Sequence, residues 1–177
     1  PFWHGDQDGR DYGFGLAQGR LTRELSQGLH RREPAKNGDQ NTAQTVLEAQ
    51  FNRETAQRLE RDGLDHNAIS NLAKLLDEQC EATGTIPSDR DLVVERCRDE
   101  GGDWRIIIHS PYGRRVHEPW ALAITTRIKQ RFGFDGQVYA VDDGIVLRLP
   151  DGYGDLPTRE LLLFDVDELQ RTVETQV

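Results

Sequence analysis

Residues 91–110, DLVVERCRDEGGDWRIIIHS, decide the fold of this chain. Polar and apolar side chains alternate in the first half, Gly101 and Gly102 interrupt the pattern, and a short apolar run follows. Such alternation is typical of half-buried β-strands, and glycine next to aspartate favours a turn. The stretch therefore predicts a β-hairpin and, with it, a mainly antiparallel sheet.

Helical periodicity precedes the hairpin. Apolar residues recur at helical spacing through residues 42–85, which predicts a first helix over about 42–62 and a second helix after Asp65. Gly63 and Gly84 follow the two apolar stripes, where glycine commonly ends a helix, and Asp65 is a suitable N-cap. We therefore expect a helical hairpin over residues 42–85.

The chain in front of the helical hairpin is mostly polar. Residues 1–41 predict an N-terminal loop, a short helix over about 15–27 and a flexible connection that contains Pro and Gly. This segment is the first of three parts of one unit, and the helical hairpin is the second.

The third part, residues 86–177, predicts an α+β module. The first hairpin is followed by a helix over about 118–132, with Pro119 in its first turn and Gly133 at its end, and then by a second hairpin. The apolar run 160–164 favours one more strand, and a D-x-x-E capping box predicts a last helix. The fold class is α+β, with N-terminal helices followed by a mainly antiparallel sheet in ββ-α-ββ-(β)-α order.

The chain is acidic overall but contains a basic window. Its net charge is −9, whereas residues 101–134 contain six positive and two negative side chains and carry a net charge of +4. The overall charge argues against general affinity for nucleic acids, while a local basic patch permits phosphate contact. A second basic cluster lies between Arg20 and Lys36.

The stretch SPYGRRVHEPWA, residues 110–121, joins the first hairpin to the predicted helix and holds candidate binding residues. Arg114 and Arg115 carry planar guanidinium groups that match phosphate oxygens in two-point contacts. A loop that leads into a helix also brings backbone N–H groups that favour anions, and Tyr112 can stack on a nucleobase. A solvated or salt-bridged arginine pair is the alternative interpretation, and Trp120 is better explained as a core anchor.

Motifs of several enzyme classes are absent from the sequence. There is no phosphate-binding G-x-x-x-x-G-K-[ST] loop, no G-x-G-x-x-G motif after a strand and no H-E-x-x-H zinc motif. Cys80 and Cys97 belong to no C-x-x-C pair, which favours two small buried residues in a reducing compartment. His109 and His117 are weak evidence for a metal site on spacing alone. We therefore expect no catalytic group, cofactor, metal or membrane span in this chain.

Several long blocks resemble the Lhr-type (large helicase-related) superfamily-2 helicases. The blocks are PFWHGDQDGR with LAQGRLTREL, then the run from GLDHNAISNLAKLL to HSPYGRRVHEPWALA, and finally DDGIVLRLPD and ELLLFDVDEL. They are similar to the region that follows the motor domains and the winged helix in that family, called the DEAD/H-associated domain. The resemblance covers nearly the whole chain, and residues 28–41 fit it worst.

The resemblance implies a function in nucleic-acid repair or remodelling. Members of the family are ATP-dependent helicases that move 3′ to 5′ on single-stranded DNA and unwind DNA or RNA–DNA duplexes. It implies that ATP and Mg²⁺ bind in motor domains outside this chain, and that this chain is an accessory domain without enzymatic activity. The chain starts with Pro1 and contains no methionine, so we expect a piece of a longer protein.

The resemblance also implies partners and a location. The expected partners are single-stranded DNA or an RNA–DNA hybrid, together with the winged-helix and RecA-like motor domains of the same protein. In this role the accessory domain guides the strand and braces the motor, in the cytoplasm and without a membrane.

The resemblance also implies which residues bind nucleic acid, and they form two groups. In this family a tryptophan near the junction with the winged helix stacks on the tracking strand, and Trp3 lies in the matching PFW block. Arg114, Arg115 and His117 match an SP-aromatic-G-x-R-V-H block, and with Tyr112 they are the expected contacts to nucleic acid. A second interpretation stays open, in which the chain is an interdomain or protein–protein bracing module and these side chains fix the loop.

Overall fold

The computed structural model describes residues 9–30, 51–151 and 158–176 of the chain. Within these ranges it contains six α-helices and four β-strands, and three helices precede the first strand. In chain order the elements are α1 (Tyr12–Gly28), α2 (Arg53–Arg61), α3 (His66–Thr83), β1 (Val93–Arg98), β2 (Trp104–His109), α4 (Arg114–Phe132), β3 (Gln137–Val141), β4 (Gly144–Leu149), α5 (Thr158–Leu162) and α6 (Val166–Gln176). The α+β class predicted from the sequence is confirmed.

The four strands form one antiparallel sheet in the order β1-β2-β4-β3. β1 and β2 are the predicted first hairpin, and their register places Val93 opposite His109. β3 and β4 are the predicted second hairpin, and β4 also pairs with β2, with Trp104 opposite Leu149. The two hairpins therefore lie side by side, with β2 and β4 in the centre and β1 and β3 at the edges.

Helix α4 covers one face of this sheet. Alternate residues of β2 and β4 point to the inner face and pack against apolar side chains of α4. The fully buried residues of this layer include Ile106, Ile124, Ile128, Ile145, Leu147 and Leu149. Since complete burial of one such side chain contributes about 1.5–3 kcal/mol, this layer is the main source of stability for the sheet module, which extends from β1 to α6.

Helices α1, α2 and α3 pack around a second core and form a helical unit. Its buried residues are Leu25, Leu29, Phe51, Leu59, Ile69, Ala73, Leu76, Cys80 and Ile86. Two predicted ends of α3 are confirmed, because Asp65 accepts the N–H of Ala68 at 2.8 Å and Gly84 has a left-handed φ of 77°. Helix α1 shares this core with the helical hairpin.

Helix α2 is shorter than the sequence suggests, which corrects the prediction of one helix over 42–62. It begins at Arg53 because the Asn52 side chain accepts a backbone N–H of the first turn at 2.9 Å. Phe51 lies before the helix and forms an isolated antiparallel bridge with Leu29. An apolar stripe does not reveal a helix start when a capping residue lies inside it, and the part of that range before Phe51 is outside the described residues.

Residues 160–164 do not form a strand, which corrects a second prediction. They lie largely in helix α5, and Leu161 and Leu162 are buried against the core of the sheet. Trp120 of α4 is the predicted anchor, since its Nε1 donates to the Leu162 carbonyl oxygen at 2.8 Å. A continuous apolar run fits a buried helix as well as a strand, so its packing partners decide between them.

The two cysteines are free thiols in different environments. Cys80 is buried in the helical unit, as predicted, whereas Cys97 is exposed on the edge strand β1. In the sheet register Cys97 lies opposite Arg105, on the face away from α4. The prediction of two buried cysteines is therefore wrong for Cys97.

Candidate nucleic-acid interface

The stretch 110–121 is mostly helical, which corrects the predicted boundary of α4. The helix begins at Arg114 rather than near residue 118, and Pro119 lies inside it instead of in its first turn. Gly113 permits this start because its φ of 87° favours glycine, and a Cβ atom there would lie 2.6 Å from the Arg10 carbonyl oxygen. The glycine and its contact with the N-terminal segment decide where the helix begins, and the proline does not.

Asp142 joins the N-terminal segment to the start of α4. Its carboxylate accepts the N–H of Arg10 at 2.7 Å and that of Arg114 at 3.0 Å. These bonds, the one from Arg10 first, hold the pKa of Asp142 below its usual value. The Asp142 carboxylate therefore occupies the N-terminus of α4, which is where the sequence predicts a phosphate.

Tyr112 belongs to an aromatic pair between the sheet module and the helical unit. Its hydroxyl donates to the Asp89 carbonyl oxygen at 2.5 Å. Its ring stacks on that of Tyr12, with centroids 5.6 Å apart and planes at 19°. Burial is the main reason that the pKa of Tyr112 lies above its usual value. Tyr12 is not among the residues predicted for this site.

Two glycines of α1 bring Tyr12 to Tyr112. A Cβ atom on Gly15 would lie 2.1 Å from the carbonyl oxygen of the residue before Tyr112, and one on Gly19 would lie 2.7 Å from the Asp89 nitrogen. Side chains do not fit at such distances. The backbone of α1 therefore packs directly against the connection between β2 and α4 and against the connection between α3 and β1. The Gly-x-x-x-Gly spacing is the sequence signal for this contact.

Arg114 and Arg115 are both exposed, as a phosphate contact requires. The Nε atom of Arg114 lies 2.6 Å from the carboxylate of Glu118, one turn along the helix. An exposed ion pair of this kind contributes about 0–1 kcal/mol, which a phosphate contact can replace. Arg115 lies at the rim of an apolar groove of about 530 Å³ whose walls include Trp120 and Leu163.

His117 is fully buried, in contrast to the two arginines. Its Nδ1 lies 2.6 Å from the Val141 carbonyl oxygen, and its Nε2 lies 2.8 Å from Ser110 Oγ. Because a carbonyl oxygen only accepts, Nδ1 carries a hydrogen, and the ring links α4 to β3 and to the end of β2. This position corrects the expectation of a nucleic-acid contact at His117 and fits the alternative that the residue fixes the loop.

Several other positive side chains of the basic window are paired within the fold. Arg127 and Arg131 each lie 2.6 Å from a glutamate of α5 or α6. Lys129 lies 2.9 Å from the carboxylate of Asp135. The other positive side chains of the window are Arg105, which is exposed on β2, and the two exposed arginines at the start of α4.

Trp3 lies outside the described residues. Gly9, which follows it by six positions, lies against the start of α4, since a Cβ atom on Gly9 would be 2.9 Å from the Arg114 Cβ. Arg10 continues this contact through an ion pair of 2.8 Å with Asp143. The N-terminal segment thus meets the candidate interface a short distance along the chain from Trp3.

The described residues contain neither a metal-binding cluster nor a helix suited to span a membrane. Within the described ranges, no group of three or more His, Cys, Asp and Glu side chains is placed to hold a metal ion. His109 Nε2 lies 3.2 Å from Glu95 on the neighbouring strand, without the alignment of a hydrogen bond. None of the helices that the structure describes combines the length and apolar character needed to cross a bilayer.

Comparison with protein families gives a match over the sheet module. The family model described as DEAD/H associated matches residues 86–177. These residues include the first turn of α4 and the aromatic Tyr112, whereas Tyr12 and Trp3 lie before the matched range.

Two curated proteins are similar to the chain over much or all of its length. The Lhr helicase/probable uracil glycosylase of Mycolicibacterium smegmatis is 44% identical over 177 residues, which are 100% of this chain and 10% of that protein. The Lhr helicase/uracil glycosylase of Escherichia coli is 55% identical over 113 residues, which are 64% of this chain and 7% of that protein. The chain spans about a tenth or less of the length of these relatives.

One solved structure is similar in both fold and sequence. The Mycobacterium smegmatis helicase Lhr, in a structure bound to ssDNA and AMP-PNP, matches with a TM-score of 0.71 at 41% identity. The match covers 99% of this chain and 19% of that chain. It extends beyond the sheet module and includes the helical unit.

Proposed function

The chain belongs to the DEAD/H associated family, which confirms the resemblance to Lhr-type helicases, and from this premise we propose that it is a strand-binding accessory domain of an ATP-dependent helicase. The observation that carries the proposal is the likeness to a helicase structure bound to ssDNA. In our proposal the whole protein moves 3′ to 5′ on single-stranded DNA. This chain guides the strand and braces the motor domains.

The proposed contact surface, the strand-guiding surface, consists of Trp3, Tyr112, Arg114 and Arg115. The two arginines are exposed at the start of α4, and Tyr112 lies directly before them in a stacked aromatic pair. Guanidinium groups bind phosphates and aromatic rings stack on bases, a combination typical of surfaces that bind single strands. His117 is not part of this surface because its ring is buried.

We propose that the ATP chemistry of the whole protein takes place outside this chain. ATP and Mg²⁺ bind the RecA-like motor domains in this proposal, and the chain contacts those domains and the winged helix. Its own contribution is then binding and positioning, with single-stranded DNA or an RNA–DNA hybrid as ligand and DNA repair as the setting.

A bracing module without nucleic-acid contact is the second candidate function. It is favoured by the apolar groove beside Arg115, where Leu163 is an exposed large apolar side chain. Exposed apolar patches commonly mark interfaces with other proteins or domains. Phosphate binding weakens steeply as salt increases, whereas apolar contact does not, so salt separates the two candidates.

The test is binding of a fluorescent single-stranded oligonucleotide, measured by anisotropy across a salt series. We expect salt-sensitive binding, and a loss of at least about tenfold when Arg114→Ala and Arg115→Ala are combined, because charge-assisted bonds contribute about 1.5–3 kcal/mol each. The control is Arg53→Ala with Arg61→Ala, which removes the same charge from α2. Equal affinity of the wild type and both variants, with unchanged circular dichroism spectra, would favour bracing.

A further inference from the structure

The aromatic pair of Tyr12 and Tyr112 has one anchored ring and one ring that faces solvent. Tyr112 is only partly exposed, and its hydroxyl is bonded to the backbone of Asp89. Tyr12 is 51% exposed, and among the described residues its hydroxyl has no hydrogen-bond partner. Tyr112 therefore supports the pair from the protein side, and Tyr12 presents the more exposed ring to solvent.

We propose that Tyr12 is a base-stacking residue of the strand-guiding surface, and that a nucleobase of the bound single strand stacks on the ring face opposite Tyr112. This inference rests on the proposed function and identifies one more residue that contacts the strand. Aromatic platforms accept any base because every base has a π-face. The pair is nearly parallel, with planes at 19°, so a base on Tyr12 continues a stack that is already present.

The start of α1 holds Tyr12 in position before any strand binds. Asp11 accepts the N–H of Gly13 at 2.8 Å and that of Phe14 at 3.3 Å, so the helix begins at Tyr12. The close approach of Gly15 fixes the helix on the connection that carries Tyr112. A side chain fixed in this way loses little conformational freedom on binding, which favours affinity.

Positive side chains are placed to hold the phosphates of such a strand. Arg114 lies on one side, in contact with the N-terminal segment that leads into Tyr12. Arg20 lies two turns further along α1, with 58% of its side chain exposed, 4.0 Å from the carboxylate of Asp89. Arg23 binds that carboxylate more closely, at 2.7 Å, so Arg20 can turn to a phosphate at little cost. The negative charge of Asp11 is compensated by the helix N-terminus that it caps.

The experiment uses the protein in its full natural length and two oligonucleotides of equal length, one of thymidine and one in which every base is removed. Three variants are compared with the wild type: Tyr12→Leu, Tyr12→Phe and, as a matched control, Tyr139→Leu. Tyr139 is exposed to a similar degree but lies on the outer face of β3. Anisotropy gives the affinity of each protein for each oligonucleotide across a salt series.

We expect Tyr12→Leu to weaken binding of the thymidine strand by between about 5-fold and 150-fold, the range for loss of one aromatic stacking partner. Its affinity for the abasic strand stays at the wild-type value, and its salt dependence is unchanged because no phosphate contact is lost. Tyr12→Phe and Tyr139→Leu bind both strands as the wild type does.

Other outcomes overturn the inference in ways that separate it from the proposed function. Wild-type affinity of Tyr12→Leu for the thymidine strand, with binding still lost in the double arginine variant, removes Tyr12 from the site and leaves the proposed function standing. An equal loss on both strands shows that Tyr12 supports the fold or a neighbouring domain. A wild type that binds neither strand overturns both proposals.

Discussion

Both halves of helix α4 carry arginine side chains, but these arginines have different environments. In the first turn Arg114 and Arg115 are exposed, and Arg114 is paired with a glutamate of its own helix. In the second half Arg127 is largely buried, and its guanidinium donates to two backbone oxygens in and after α5 and to a glutamate of α6, each at 2.6 Å. The first turn can exchange an ion pair for a phosphate, whereas Arg127 is part of the fold.

This difference shows that charge counted along a sequence window does not locate a binding surface. The window of net charge +4, residues 101–134, includes both halves of α4. Arg127 and Arg131 neutralise acidic side chains of α5 and α6, so their charge contributes little to the potential outside the molecule. The charge available at the surface is therefore smaller than the count along the window, and the start of the helix is the part of it that we propose as the strand contact.

Replacing Arg127 by alanine should have the largest effect on stability. We expect a loss of about 2–3 kcal/mol in the free energy of unfolding, because two backbone oxygens and Glu168 lose their donor. The guanidinium also lies 3.4 Å from the centre of the Phe164 ring, and this contact is lost as well. Urea denaturation followed by circular dichroism measures the change.

The matched control for that prediction is Arg114→Ala, in the other half of the same helix. Because its ion pair is exposed, we expect its free energy of unfolding to change by less than about 0.5 kcal/mol. Similar losses in the two variants would remove the distinction between the halves of α4.

A second variant, Gly15→Ala, tests whether α1 lies on the connection beside the first turn of α4. The added Cβ atom would meet a backbone oxygen at 2.1 Å, and such overpacking costs about 1–3 kcal/mol. Because the added atom meets rigid backbone, we expect a cost at the upper end of this range. Alanine favours a helix by about 1 kcal/mol relative to glycine, so the net loss in stability should be about 2 kcal/mol, accompanied by weaker strand binding. Denaturation and oligonucleotide anisotropy measure the two effects.

Gln18→Ala is the control for this variant, since residue 18 is exposed on the same helix. It should leave stability and strand binding unchanged. If Gly15→Ala also leaves both unchanged, the close contact between α1 and the first turn of α4 does not exist.

Asp142, which binds the first turn of α4, should make stability depend on pH. In the folded protein its pKa lies below the usual value of 3.8, so the ionised carboxylate stabilises the fold at neutral pH. That contribution is lost as the pH falls through the lowered pKa. We therefore expect Asp142→Asn to lower stability by about 0.5–1.5 kcal/mol at neutral pH and to show a shallower decline below about pH 4.

Urea midpoints of both proteins across the acidic range measure this effect. Asp143→Asn is the control, because the Asp143 side chain is mostly exposed and asparagine keeps an oxygen that can accept from Arg10. Parallel pH profiles for Asp142→Asn and the wild type would show that the carboxylate does not stabilise the start of α4.

The fold was predictable wherever short-range chemistry decides it. Both hairpins, the ends of α3 at Asp65 and Gly84, and the end of α4 at Gly133 follow from turn residues and periodicity. The start of α4 was not predictable, because the carboxylate that binds it belongs to Asp142 in a different hairpin. Helix α5 was mistaken for a strand because a short apolar run fits either structure.

In the candidate site, the sequence predicted the exposure of the charged residues but not the arrangement of the others. Arg114 and Arg115 are long, polar side chains whose exposure follows from their type. The burial of His117 depends on oxygen atoms of Ser110 and Val141, which come from other elements. The pairing of Tyr12 with Tyr112 is likewise set by the packing of the helical unit on the sheet module. The Gly-x-x-x-Gly spacing of α1 signals a close contact of this helix but does not identify the partner.

The salt dependence of strand binding tests the distinction between the two halves of α4 most directly. Each phosphate contact to a single strand contributes about 0.7 to the slope of log affinity against log salt. Arg114→Gln combined with Arg115→Gln should therefore lower that slope by about 1.4. Lys129→Gln combined with Arg131→Gln removes the same charge from the other half and should leave the slope unchanged. A slope that falls equally in both double variants, or in neither, would contradict the assignment of strand binding to the first turn of α4.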